Sequence, residues 1–225
     1  MGLVKRQLPE GYDVEKHFNP RYNPWDQRLC VVPNGDLFRT IRAGKTEVVT
    51  DTIERFTATS IKLASGRELP ADIIVTATGL DLQLFGGATV SVDGKAVDLT
   101  HTMAYKGMML SGLPNMAYTV GYTNIGWTLK ADLVSEFVCR LLNYMDDNSF
   151  DVVVADRPAP DVEERPFMDF TPGYVRRKLG ELPKQGSRTP WRLNQNYLLD
   201  VRLIRRGKVA DEGLRFAKKP AALAA

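Results

Sequence analysis

Apolar positions along the chain follow two rhythms. From Thr128 to about Met145, Leu129, Leu133, Val134, Phe137, Val138, Leu141, Leu142 and Met145 recur at helical spacing, which predicts an amphipathic helix. Lys130, Asp132, Glu136 and Arg140 fall on its opposite side, and Thr128 or Asn124 is placed to cap it. The other rhythm is short. Glu47–Thr50, Ile53–Phe56 and Ile61–Leu63 read as strands, with a Ser65-Gly66 turn after them. Thr89–Val97 carries the Asp93-Gly94 pair of a tight hairpin. Met116–Val120 reads as a buried strand that runs into Gly121-Tyr122-Thr123-Asn124. The densest run is Ile73-Ile74-Val75, within Asp72–Leu80. It predicts a strand covered on both faces, ending in Ala77-Thr78-Gly79, where small residues admit close approach to the backbone. Ligands of open α/β sheets sit at such strand ends, which makes Thr78 and Gly79 candidates, although a buried strand followed by a turn is the commoner explanation of such a run.

The flanks have no periodicity. Pro9, Pro20 and Pro24 exclude a continuous helix in residues 1–45 and favour a looped path. The aromatics Phe18, Tyr22 and Trp25 give that stretch area to bury. Beyond Asp147, Arg157-Pro158-Ala159-Pro160 is linker-like, and a short helix is expected over residues 173–179. These changes divide the chain at 1–45, 46–147 and 148–225.

Composition narrows the function. An apolar fraction of 44% and a charged fraction of 25% are those of a globular protein, and a formal charge of +3 gives no reason to expect nucleic acid. Cys30 and Cys139 are too far apart to suggest a disulfide framework, so a reducing cytoplasm is expected. With His17 and His101 they form no zinc-type spacing, and no metal is expected. No stretch has the length of a membrane span. Arg202, Arg205, Arg206, Lys208, Lys218 and Lys219 make the tail basic. That pattern is ordinarily a solvated face, with contact to nucleic acid or to an anionic membrane surface as the alternative. The strand–turn–helix unit over 116–145 aims a helix N-terminus past the turn, which favours an anion or an electron-rich carbonyl there, although many such units are only scaffold.

Several collinear stretches resemble the C-terminal half of flavin-dependent monooxygenases of the Baeyer–Villiger type. They are Phe18-Asn19-Pro20-Arg21-Tyr22-Asn23-Pro24-Trp25-Asp26-Gln27-Arg28-Leu29, then Ala71-Asp72 through Ala77-Thr78-Gly79, Met103-Ala104-Tyr105-Lys106-Gly107-Met108, Val120-Gly121-Tyr122-Thr123-Asn124 and Lys184-Gln185-Gly186-Ser187-Arg188-Thr189-Pro190-Trp191. The resemblance implies the C-terminal part of a two-domain Rossmann-like α/β flavoprotein using FAD and NADPH. Residues 1–45 would be the end of the NADPH domain with an active-site loop, 46–147 part of the FAD domain, and 148–225 an extension. It implies dioxygen and a small ketone, thioamide or sulfide as substrates, and leaves a homo-oligomer open. Arg28 matches the catalytic arginine, where a permanently charged planar donor stabilises the oxyanion created on a ketone. Thr123, Asn124 and Trp127 match a segment beside the flavin. Trp191 matches a mobile-loop aromatic over NADPH, with a core tryptophan as the alternative, and Gly79 a link between the nucleotide domains.

The chain departs from that pattern in having no G-x-G-x-x-G. Gly86-Gly87-Ala88 and Gly107-Met108-Met109 lack the spacing. The turns that seat both diphosphates are expected in an N-terminal half outside this sequence, and a non-catalytic module without bound flavin is the competing expectation for the chain alone.

Overall fold

A computed structural model describes residues 2–20, 22, 32–170 and 172–218. The chain divides into two compact units, Met1–Leu80 and Asp81–Ala225.

In the first unit, α1 (Gly2–Gln7), α2 (Val14–Phe18) and α3 (Asp36–Arg42) precede β1 (Ile53–Phe56), β2 (Ser60–Leu63) and β3 (Glu68–Pro70). No continuous helix forms among the described residues of 1–45, as the prolines require, but the path is not looped throughout: three short helices lie in it, with Pro9 and Pro20 outside them. Asp13 begins α2 by accepting the Lys16 amide at 3.0 Å. Leu8, Val14 and Ile41 form a small core with Phe18, Phe38 and Val48 around them. β1, β2 and β3 make an antiparallel meander, in which Ile61 lies opposite Phe56 on one side and Leu69 on the other. Glu47–Thr50 is not a strand; Arg67 holds Glu47 there through two bonds of 2.8 and 2.7 Å.

Asp72–Leu80 is the main correction. It is neither a strand nor buried, and Ile73 and Val75 are each 83% exposed. A β-branched run sets a preference for extended backbone, but it does not supply the neighbours that would cover it. Among the described residues no strand lies beside it. Gly79 has φ +100°, and a Cβ there would meet nothing within 4 Å, so the backbone angle and not crowding calls for glycine.

The second unit opens with a 3-10 turn, Leu84–Gly87, followed by the hairpin β4 (Ser91–Val92) and β5 (Lys95–Ala96), turning through Asp93 and Gly94, both at positive φ, as expected. β6 (Ala104–Tyr105) and β7 (Met109–Leu110) follow, then α4 (Trp127–Asp147). β8 (Val152–Ala155), β9 (Glu164–Pro166), α5 (Gly173–Arg176), β10 (Lys184–Gly186), α6 (Tyr197–Asp200) and β11 (Leu214–Ala217) complete it. α6 continues into a π-helical turn, Val201–Arg205. The fold is mixed α/β, and every strand pair among the described residues is antiparallel. No parallel Rossmann-type sheet is formed by them. Met116–Val120 is irregular: Tyr118 is buried and bonds its amide to Met108, while Ala117 and Thr119 face outward.

α4 carries the unit. Leu133, Phe137, Leu141 and Met145 pack against Val153, Ala155, Ile204 and Leu214. A second cluster joins Ala104, Leu110, Leu113, Tyr118, Phe167 and Leu182.

Candidate functional site

α4 begins at an unusual end. Its N-cap is Gly126, and no side chain caps it; neither Thr128 nor Asn124 takes the expected role. An uncapped N-terminus on a 21-residue helix presents free amides and a partial positive charge. The preceding turn is held from elsewhere. The Gln195 Oε1 accepts from the Thr123 amide at 2.9 Å and from its hydroxyl at 3.1 Å, and Asn124 Nδ2 donates to the Gln195 carbonyl. Trp127, the first helical residue, is 54% exposed and lies over Gly121, where a Cβ would stand 2.1 Å from its ring. Glycine is required there by contact. A groove of about 610 Å³ adjoins, with Arg165, Arg192, Asn194, Gln195 and Asn196 among its walls.

Behind this end lies a buried ionic network. Lys130 donates to Asp200 at 2.7 Å and to the Lys106 carbonyl at 3.2 Å, and the Tyr122 hydroxyl donates to the same carboxylate at 2.8 Å. Lys106 in turn pairs with Asp211 at 2.8 Å, and Tyr105 donates to that aspartate. Burial pulls both ammonium groups below the usual lysine value, against the aspartates, which act to raise them. Periodicity places Lys130 on the polar face; it is buried because Asp200, seventy positions away, meets it. The network ties the turn before α4 to the C-terminal arm.

The candidate residues fall as follows. Arg28 lies outside the described residues. Thr78 and Gly79 belong to the exposed stretch of the first unit. Thr123, Asn124 and Trp127 converge on the N-terminus of α4, in the second. Trp191 is buried with Met103 and Val162, its indole donating to the Asp156 carbonyl at 3.3 Å; the core alternative describes its position. Lys106, Lys130, Asp200, Asp211 and Gln195 were given no site role by the sequence. One signal was available: Lys106 stands within the apolar stretch Tyr105-Lys106-Gly107-Met108-Met109-Leu110.

The donor set at this end, uncapped amides with an amide side chain and an exposed indole, suits an electron-rich planar group. It does not suit a dinucleotide diphosphate, because no glycine-rich turn opens a helix here. Among the described residues no cluster of three acidic, histidine or cysteine groups is placed to hold a metal.

Over almost its full length the chain is similar to FAD-containing monooxygenases of bacteria. The relatives include the FAD-containing monooxygenase EthA of Mycobacterium tuberculosis, 81% identical over 221 residues, which are 98% of this chain and 45% of the relative. EthA of Mycolicibacterium smegmatis is 66% identical over all 225 residues, or 46% of its own length. The probable FAD-binding monooxygenase AlmA of Acinetobacter baylyi is 46% identical over 217 residues, 96% of this chain and 43% of the relative. The chain thus spans somewhat under half the length of the curated relatives it matches, in their C-terminal half. No family model matches it, and no solved structure does.

Proposed function

We propose that this chain forms the C-terminal part of an FAD- and NADPH-dependent monooxygenase, inserting oxygen into small ketones and adding it to thioamides or sulfides. The observation that carries this reading is 81% identity over 221 residues to a relative named as FAD-containing. Bound FAD would supply the redox chemistry toward dioxygen. The residues of this chain contribute around it. The α4 amides and Asn124 favour negative charge on a ring beside them, Gln195 fixes the turn that carries Thr123 and Asn124, and Arg28 stabilises the oxyanion formed on an attacked ketone. The groove lined by Arg165 and Arg192 offers charge for the nicotinamide cofactor. No helix among the described residues is long and apolar enough to cross a membrane. We place the activity in the cytoplasm on its cysteine usage, with the basic tail available for peripheral membrane contact and self-association open.

The test is reconstitution. Joined to the N-terminal half of the M. tuberculosis relative, the chain is expected to purify yellow and to oxidise NADPH when a ketone is added. The 225 residues alone are expected to be colourless. In the joined protein Arg28→Ala should keep FAD and lose oxygenated product; normal ketone oxidation by that variant would remove the role given to Arg28.

A further inference from the structure

Beside the N-terminus of α4 lies an apolar cavity of about 310 Å³. Leu82, Phe85, Val120, Trp127 and Phe167 are among its walls, and no charged residue lines it. Tyr118 also lines it, 9% exposed, with a hydroxyl that is sealed from solvent and has no hydrogen-bond partner. A buried hydroxyl left unpaired is costly, and the residue that carries this one borders a cavity with room for a partner. The only other such hydroxyl among the described residues is that of Tyr12, in the first unit, whose ring packs beside His17 and Phe18.

Phe85 packs on the Tyr118 ring from a strained backbone. Its ring meets Tyr118 edge-on at 5.7 Å, while Phe167 flanks Tyr118 at 6.5 Å. Phe85 has φ 50°, followed by Gly86 at 66° and Gly87 at 81°. For a bulky side chain the left-handed region is unfavourable, so the ring contact holds this turn and not backbone preference. Two adjoining glycines give the backbone freedom to release it.

We propose that the cavity binds a small uncharged carbonyl compound whose oxygen accepts the Tyr118 proton, admitted when Phe85 swings aside. The choice of a carbonyl rests on the monooxygenase reading; the cavity and the orphaned hydroxyl do not. No charged side chain lines these apolar walls to pair with an ion, which favours a neutral occupant. Burial holds the Tyr118 hydroxyl protonated well above the ordinary tyrosine range, so it acts as a donor. The volume is at the lower end of ligand pockets, about 300–1,000 Å³, which fits a single ring or a short chain. Trp127 places the occupant next to the positive end of α4, which favours an electron-rich carbonyl.

The experiment uses the 225-residue chain without flavin and two probes of like shape, acetophenone and ethylbenzene, followed by protein-observed NMR titration. Acetophenone should bind about tenfold more tightly, as one neutral hydrogen bond allows. Tyr118→Phe should bring acetophenone down to the level of ethylbenzene and leave ethylbenzene unchanged. Its thermal midpoint should hold or rise, because an unpaired buried hydroxyl is removed. Phe85→Ala should speed association of both probes. Equal binding of the two probes by the unsubstituted chain, no binding of either, tighter binding of benzoate, or an unchanged preference in Tyr118→Phe would overturn the proposal. Failure of the joined protein to take up FAD would count against the monooxygenase reading and leave this result standing.

Discussion

Lys106 and Lys130 are buried in the larger unit, and each is met by one carboxylate. Removing one member of such a pair strands the other charge. Lys130→Met is therefore expected to cost about 3–5 kcal/mol in denaturant unfolding, and Lys130→Met with Asp200→Leu distinctly less than Asp200→Leu alone. Alkaline pH tests the same region. Burial first, then Asp211 and Asp200, drives the Tyr105 and Tyr122 hydroxyls far above their ordinary 10.0, and burial alone does so for Tyr118. Above pH 10 the folded state thus keeps protons that the unfolded state releases, and their contribution to stability falls as pH rises. The lysines, lowered from 10.5, act in the opposite direction only up to that value. Above about pH 10.5 the tyrosines act unopposed, so the melting temperature should fall there, less steeply in Tyr118→Phe. None of these partnerships was readable from local pattern. A lysine on an amphipathic helix is read as solvated because its partner, Asp200, is remote in sequence and adjacent only in the fold.

Elements show what local pattern does carry. α4 lies within a residue or two of its expected span, because a 3.6-residue period over five turns has few alternative explanations. The Asp93-Gly94 hairpin was legible because positive φ at both positions demands such residues. The cap of α4 was not: Thr128 and Asn124 suit capping chemically, yet the chain enters through Gly126. At the other end of this layer, Arg140 grips the π-helical turn after α6, donating to the carbonyls of Ile204, Arg205 and Gly207 at 2.9, 2.7 and 2.7 Å. Gly207 makes that close pass feasible, since a Cβ there would lie 2.0 Å from the Leu203 oxygen. Arg140→Met should cost about 2 kcal/mol, the scale of charge-assisted bonds. Hydrogen exchange is expected to quicken over residues 201–207 first. Uniform loss of protection across the unit would instead mean that Arg140 supports α4 itself.

For the whole molecule, Asp72–Leu80 is decisive. The sequence reading of a doubly covered strand and the observed exposure share one cause: the run is apolar on both faces, and burial needs a second participant that hydrophobicity does not name. The mixed α/β character was legible, whereas the parallel sheet implied by resemblance is not built from these residues. Exposed β-branched runs promote association between chains. Ile73→Lys with Val75→Lys is therefore expected to lower light scattering in concentrated solution without moving the melting transition of the larger unit. A loss of that transition would show that the run supports packing elsewhere.

Lys106 takes part in both buried pairs, with its ammonium in one and its carbonyl in the other. The two pairs are thus wired in series through a single backbone segment, not set side by side. Cutting either should relax the turn at Lys106, itself held at φ 49°, and so weaken the survivor. In a double-mutant cycle, Asp211→Asn and Asp200→Asn together should cost less than the sum of the two alone.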